Sequence, residues 1–183
     1  IPYLVDFRTF RPLRGEEASI ESFRNGWKIP QNKYLVGNFS RDSEGMNLSS
    51  PKLVKGPDLF VEIVHSLCRK GYPIHVILAG PRRHWIRSQL KQRGVPYTFV
   101  GEATDGDDVK TNRLPRKTLN QLYNLIDLYV VSSRSEGGPH AILEASASRC
   151  KIVSTPVGMA EDNLTEECIF NTVEEGIALI EQD

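Results

Sequence analysis

Ser132-Ser133-Arg134-Ser135-Glu136-Gly137-Gly138-Pro139-His140-Ala141-Ile142-Leu143-Glu144-Ala145 follows a short apolar run, Leu128-Tyr129-Val130-Val131. The run reads as a buried strand. Two glycines and a proline then make a tight turn into a helix, with Pro139 at the first helical position, where its missing N–H is of no consequence. Ala141, Ile142 and Ala145 recur at helical spacing and are predicted to face the sheet. Strand, glycine turn and helix together form a place where free backbone N–H groups point at an anion.

Two carboxylates flank that turn. Glu136 precedes it and Glu144 stands five residues beyond Pro139, roughly 7.5 Å along a helix axis at about 1.5 Å per residue. A carboxylate repels phosphate, so neither glutamate is suited to grip one. Each is suited to accept hydrogen bonds from hydroxyls on either side of a diphosphate held by the Gly137 and Gly138 amides. A ligand with hydroxyls at both ends and a diphosphate between them is a nucleotide sugar. The spacing alone is equally met by a surface helix with one solvated glutamate and one acid favoured by the helix dipole.

Glu-x7-Glu followed by Ala, after a strand ending in Ser, resembles the donor-site signature of retaining nucleotide-sugar glycosyltransferases of GT-B fold, a family that includes sucrose synthases, glycogen synthases and bacterial mannosyltransferases. The resemblance implies that Glu136 contacts the donor sugar and Glu144 the nucleotide ribose. It is supported by Val5-Asp6 through Phe10-Arg11-Pro12, which is similar to the family's crossover between its acceptor and donor domains. By bare physics that segment is an extended linker closed by a proline.

Elsewhere strands and helices alternate. Tyr34–Phe39, Ile74–Ala79, Tyr97–Gly101, Leu128–Val131, Ile152–Pro156 and a short Cys168–Phe170 read as strands. Apolar residues at helical spacing predict helices over 18–27, 58–69, 85–93, 119–126, 139–145 and 173–180. The pattern predicts an α/β fold: a Rossmann-like doubly wound parallel sheet of about six strands with helices on both faces. Absence of Gly-x-Gly-x-x-Gly after the first strand argues against a dinucleotide-dependent dehydrogenase.

Open α/β sheets bind ligands at the carboxyl ends of their strands. Arg41 and Lys55 flank the polar loop after the first strand, and the resemblance assigns such a pair to the donor diphosphate. Thirteen residues separate them, more than the family's usual four or five, and Lys52 competes with Arg41 for the role. Gly101 and Glu102, at the end of the third strand, match the place where the family's base packs. They open a polar and acidic stretch, 102–114, expected to be a mobile surface loop. Lys117 is a further candidate for phosphate. In Val157-Gly158-Met159-Ala160-Glu161 a methionine replaces the second glycine of the family's corresponding loop.

The 183 residues carry a formal net charge of +0 with 25% charged side chains. No basic field argues for nucleic acid or an anionic membrane. Cys68, Cys150 and Cys168 lack metal-ligand spacing and are read as reduced core residues, which favours the cytoplasm, or its membrane face for a longer protein. No apolar run approaches the ~20 residues of a membrane span. His75 and His84 have no partners at metal spacing, and Asp105-Gly106-Asp107 reads as a chance match in the acidic loop rather than a metal motif. The chain opens on Ile1 without a visible signal peptide, which suggests a fragment or a processed chain.

The expected organisation is a crossover segment, 1–12, and a donor-binding domain, 13–183, whose acceptor domain lies outside the chain. The expected function is the donor half of a retaining glycosyltransferase, inactive alone, taking a UDP-, GDP- or ADP-linked sugar with no prosthetic group and no essential metal. Any membrane contact is assigned to the other domain. The alternatives are a nucleotide-sugar epimerase of related fold and a non-catalytic nucleotide-sugar-binding module. Donor sugar, base and acceptor are left open.

Overall fold

Val36 and Leu35 sit side by side in the first strand and face opposite layers of the molecule. Val36 joins a core with Phe60, Ile63, Val64 and Leu67, while Leu35 joins a second with Leu122, Tyr123, Ile142 and Ala145. The same alternation runs through Val76 and Ile77, Leu128 and Tyr129, and Val153 and Ile152. A strand whose residues on both faces are apolar must be covered on both faces, so these strands build a sheet between two helical layers.

The computed structural model describes residues 4–46, 48–138 and 140–183. In chain order its elements are α1 (Glu17–Gly26), β1 (Tyr34–Asn38), β2 (Ser43–Glu44), β3 (Ser50–Pro51), α2 (Pro57–Arg69), β4 (Ile74–Ala79), α3 (His84–Gln92), β5 (Tyr97–Val100), α4 (Arg116–Leu125), β6 (Leu128–Val131), α5 (His140–Ala147), β7 (Lys151–Ser154), α6 (Ala160–Asn163) and α7 (Val173–Glu181). Five strands form one parallel sheet in the order β5-β4-β1-β6-β7. Helices α2, α3 and α7 cover one face, and α4, α5 and α6 the other. The doubly wound, Rossmann-like sheet is as the alternation predicts.

Three local details differ from expectation. The sixth segment pairs with the sheet only through a single parallel bridge, Ser154 to Ile169, because a 3-10 turn over Glu166–Cys168 leaves too little extended chain. The polar loop after β1 contains a short antiparallel hairpin, β2–β3. The leading segment is not extended throughout: the Asp6 carboxylate accepts from the Arg8 backbone N–H and the Thr9 hydroxyl, closing a turn that delivers Phe10 into the core. The three cysteines are unpaired thiols and only half-buried.

Strand order fixes where a ligand can sit. From β1 the chain winds outward through β4 to β5, then returns to lay β6 and β7 on the opposite side of β1. The loops that follow β1 and β6 therefore leave the sheet in opposite directions and open a crevice between them.

Candidate functional site

The loop after β1 ends in a 3-10 turn, Leu53–Lys55, and then Gly56, which adopts the left-handed conformation at φ 57° and ψ 40°. A Cβ on Gly56 would lie 1.7 Å from the Ser132 carbonyl oxygen. Only glycine lets the two crevice loops touch here. The Arg134 and Ser135 backbone N–H groups donate to the Val54 carbonyl at 2.9 and 3.3 Å. Arg134 also reaches back to the Leu53 carbonyl and grips Asp58 through both terminal nitrogens, at 2.7 and 2.5 Å. Asp58 and Arg134 were not singled out by sequence, since neither has a spacing that distinguishes it from solvated surface. Their bidentate pair fixes the loops geometrically.

This stitching sets Lys55 against Glu136, with Nζ 2.5 Å from Oε1. The Ser133 hydroxyl donates to the same oxygen at 2.8 Å. The two side chains keep only 26% and 13% of their exposure, so the pair is partly desolvated. An ammonium has three donors, which leaves Lys55 able to hold Glu136 and a second anion together. Ser133 is held in turn by Thr155 at the end of β7, whose hydroxyl donates to the Ser133 carbonyl at 2.5 Å.

Arg41, Lys52 and Lys55 line one cleft with Ser40, of about 290 Å³. The structure thus brings both competitors for the second cation beside Lys55. The hairpin explains the long interval, because the chain turns back across thirteen residues and the Lys52 N–H donates to the Asp42 carbonyl at 2.6 Å. Asp42 is anchored underneath by the buried guanidinium of Arg83 at 3.1 Å, and its carboxylate accepts from the Ile86 N–H at the start of α3.

Arg41 also lines a second, larger cleft of about 450 Å³ with Phe39, Gly80, Pro81, Arg113, Leu114 and Leu119 among others. Phe39 packs on Tyr123, whose hydroxyl donates to Glu144 Oε2 at 3.2 Å. Burial pushes the Glu144 carboxyl above its usual range, opposed by the Tyr123 hydrogen bond and by the electrostatic influence of His140 and Arg116. Glu136 thus lies beside the cations of the first cleft, and Glu144 is joined through Tyr123 to Phe39, which lines the second.

The remaining candidates fall as follows. Gly137 is exposed and Gly138 half-buried, whereas Pro139 lies outside the described residues. Gly101 abuts the Asn112 side chain, whose amide accepts from the Glu102 N–H at 2.7 Å and donates to the Glu102 carbonyl at 2.9 Å. The Glu102 backbone N–H and carbonyl are therefore both bonded to Asn112. Asn112 also donates to Asp108, which accepts from the Arg82 N–H. Asn112 and Asp108 are both buried, so the acidic loop is pinned down more firmly than its composition suggests. Asp107 of the Asp-Gly-Asp stretch pairs with Arg82. Lys117 lines a different cleft, with Arg8, Arg11 and Asn120. His75 faces Thr98 at 2.9 Å. Among the described residues, no three His, Cys, Asp or Glu side chains converge as a metal site, and no helix is long and apolar enough to cross a membrane.

The family profile described as "Glycosyl transferases group 1" matches residues 47–182. The chain belongs to this family. The matched region holds Lys52, Lys55, Glu136 and Glu144, and leaves Arg41 outside. The fold is also that of the C-terminal domain of a group 1 glycosyl transferase, LpcC, from Francisella tularensis, at a TM-score of 0.69 and 19% identity over 98% of this chain and 87% of that one. HepE from Anabaena, solved in complex with UDP and glucose, gives a TM-score of 0.71 at 18% identity over 97% of this chain and 45% of that one. A sucrose-phosphate synthase from Thermosynechococcus elongatus gives 0.69 at 16% over 100% and 42%. The chain thus spans less than half the length of the latter two. No curated protein matches the chain.

Proposed function

We propose that this glycosyltransferase-family chain is the donor-binding half of a retaining enzyme that moves a sugar from a nucleoside diphosphate to an acceptor. Residues 13–183 form the donor domain, 1–12 the crossover, and the acceptor half is a separate domain outside the chain. The observation that carries the reading is the cleft at the β1/β6 crevice, where Arg41, Lys52 and Lys55 converge beside Glu136. Three cations in one crevice suit two adjoining phosphates, and no metal is needed to neutralise them.

In this reading the diphosphate lies across Arg41, Lys52 and Lys55 and against the Gly137 and Gly138 turn. Charge that builds on the departing phosphate is stabilised by cations already in place, without reorganisation. Glu136, oriented by Ser133 and Lys55, accepts hydrogen bonds from the donor sugar. Glu144 accepts from the ribose. The base occupies the cleft of Phe39, Pro81 and Arg113 rather than the Glu102 backbone, whose groups Asn112 already holds. The donor is a UDP-, GDP- or ADP-linked sugar, a class consistent with HepE having been solved with UDP and glucose.

Glu144→Ala tests the ribose end. Calorimetric titration with UDP, GDP and ADP identifies the preferred nucleotide. The variant is expected to bind it about 1.5–3 kcal/mol more weakly, the range for hydrogen bonds to a charged group. Discrimination against the 2′-deoxy analogue should shrink with it. A variant that binds both nucleotides as the parent protein does would remove Glu144 from the site.

A further inference from the structure

We propose that Tyr123 is a positioning residue for Glu144, its hydroxyl holding one carboxylate oxygen so that the group meets the donor's ribose in a single orientation. The inference rests on the ribose role of Glu144.

Tyr123 is 2% exposed, and its ring lies in an aromatic cluster with Phe10, Phe39 and Tyr129 at centroid distances of 6.2, 5.4 and 5.3 Å. A phenol so enclosed has a fixed ring, and its hydroxyl is directed at Glu144 Oε2. Burial also keeps that hydroxyl protonated, well above the usual tyrosine range, so it is a donor over the whole working range of pH. The hydrogen bond ties α4 to α5 at the rim of an apolar layer. A cluster built only for packing would be served equally by phenylalanine, since a buried hydroxyl without a partner is unfavourable.

The consequence for Glu144 is electrostatic as well as geometric. Desolvation favours the protonated carboxyl, and a hydrogen bond to the charged form opposes it. The groups facing Glu144 are Tyr123 and Arg116 of α4, Tyr129 of β6 and His140 on its own helix. Removing the Tyr123 hydroxyl leaves desolvation less opposed and raises the carboxyl further. Binding that needs the carboxylate is present above its pKa and lost as pH falls through it, so the acid limb of the binding profile moves to higher pH.

Tyr123→Phe removes one oxygen and keeps the ring. Nucleoside diphosphate binding, measured by calorimetry from about pH 4.5 to 8, should weaken by about three- to tenfold at neutral pH, the worth of one hydrogen bond. Its acid limb should shift upward relative to the parent protein, and preference for ribose over 2′-deoxyribose should fall. His140 is present in both proteins, so the difference between their profiles reports the hydroxyl. Weaker binding with an unmoved acid limb and unchanged ribose preference would mean a structural role only and would overturn the proposal. The parallel variant Glu144→Gln separates the two readings. If it binds as the parent does, the ribose role fails; if it weakens binding while Tyr123→Phe alters nothing, the positioning role fails alone. In the unsubstituted protein, the Tyr123 hydroxyl resonance should follow the titration of Glu144, and independence of the two would also overturn the proposal.

Discussion

Lys55→Ala should abolish most of the affinity for a nucleoside diphosphate while leaving affinity for the nucleoside nearly unchanged. The charge that Lys55 meets in the proposed complex is on phosphate, and truncating one partner of a hydrogen-bonded charge pair takes away about 2–5 kcal/mol. The low end, about 2–3 kcal/mol, applies here because a quarter of the Lys55 side chain remains in water. Part of the loss has a specific source. With its cation gone, Glu136 faces the phosphates unneutralised, so the double variant Lys55→Ala/Glu136→Ala should bind nucleoside diphosphate better than Lys55→Ala alone. Glu136→Ala by itself should keep nucleoside diphosphate affinity and lose the additional affinity for the sugar-bearing donor. Titration of nucleoside, nucleoside diphosphate and nucleotide sugar against all three variants decides the matter. If Lys55→Ala and Glu136→Ala lose the same ligands in the same proportion, the two residues do not serve different ends of one donor.

Gly56→Ala should destabilise the fold by about 2–5 kcal/mol, combining roughly 1–2 for a side chain in the left-handed region with roughly 1–3 for the steric clash. The clash is with backbone, the Ser132 carbonyl 1.7 Å from the new Cβ, so no rotamer change relieves it. Relief requires the two crevice loops to separate, and that withdraws Lys55 from Glu136. Denaturant melts and nucleoside diphosphate titrations of the folded fraction should therefore both be affected. The substitution Gly71→Ala is a useful contrast, because Gly71 shares the positive φ but has open space around it. That variant should show the conformational penalty alone, with binding unchanged. A Gly56→Ala protein as stable as the Gly71→Ala protein would mean that the loops do not meet at this point.

Much of the fold was legible because the relevant physics is local. Alternating and continuous apolar runs at Leu35-Val36, Val76-Ile77-Leu78 and Leu128-Tyr129-Val130-Val131 dictate strands buried on both faces, and helical spacing at Phe60, Ile63, Val64 and Leu67 dictates the helix that covers them. The segment around Ile169 carried the same composition yet formed only a bridge. The 3-10 turn over Glu166–Cys168 takes up the residues before it, which apolar composition does not record. Likewise the Asp6 turn interrupts a segment expected to be extended, because an aspartate side chain offered the backbone a nearer partner than a neighbouring strand.

At the site, the candidates for the chemistry came from sequence through its family resemblance: Glu136 and Glu144 as the Glu-x7-Glu pair around a glycine turn, and Lys55 as the lysine before Gly56. It left Arg41 and Lys52 as competitors, since a one-dimensional interval of thirteen residues cannot show that a hairpin folds it back on itself. Tertiary structure placed both in one cleft with Lys55. It also supplied the partners that orient the charges, Ser133 for Glu136 and Tyr123 for Glu144, and showed the Glu102 backbone already held by Asn112. Lys55 and Glu136 are 81 residues apart in sequence. Only the crossing of the sheet from β5 back to β6, and a glycine small enough for the two loops to touch, bring their charges within a hydrogen bond.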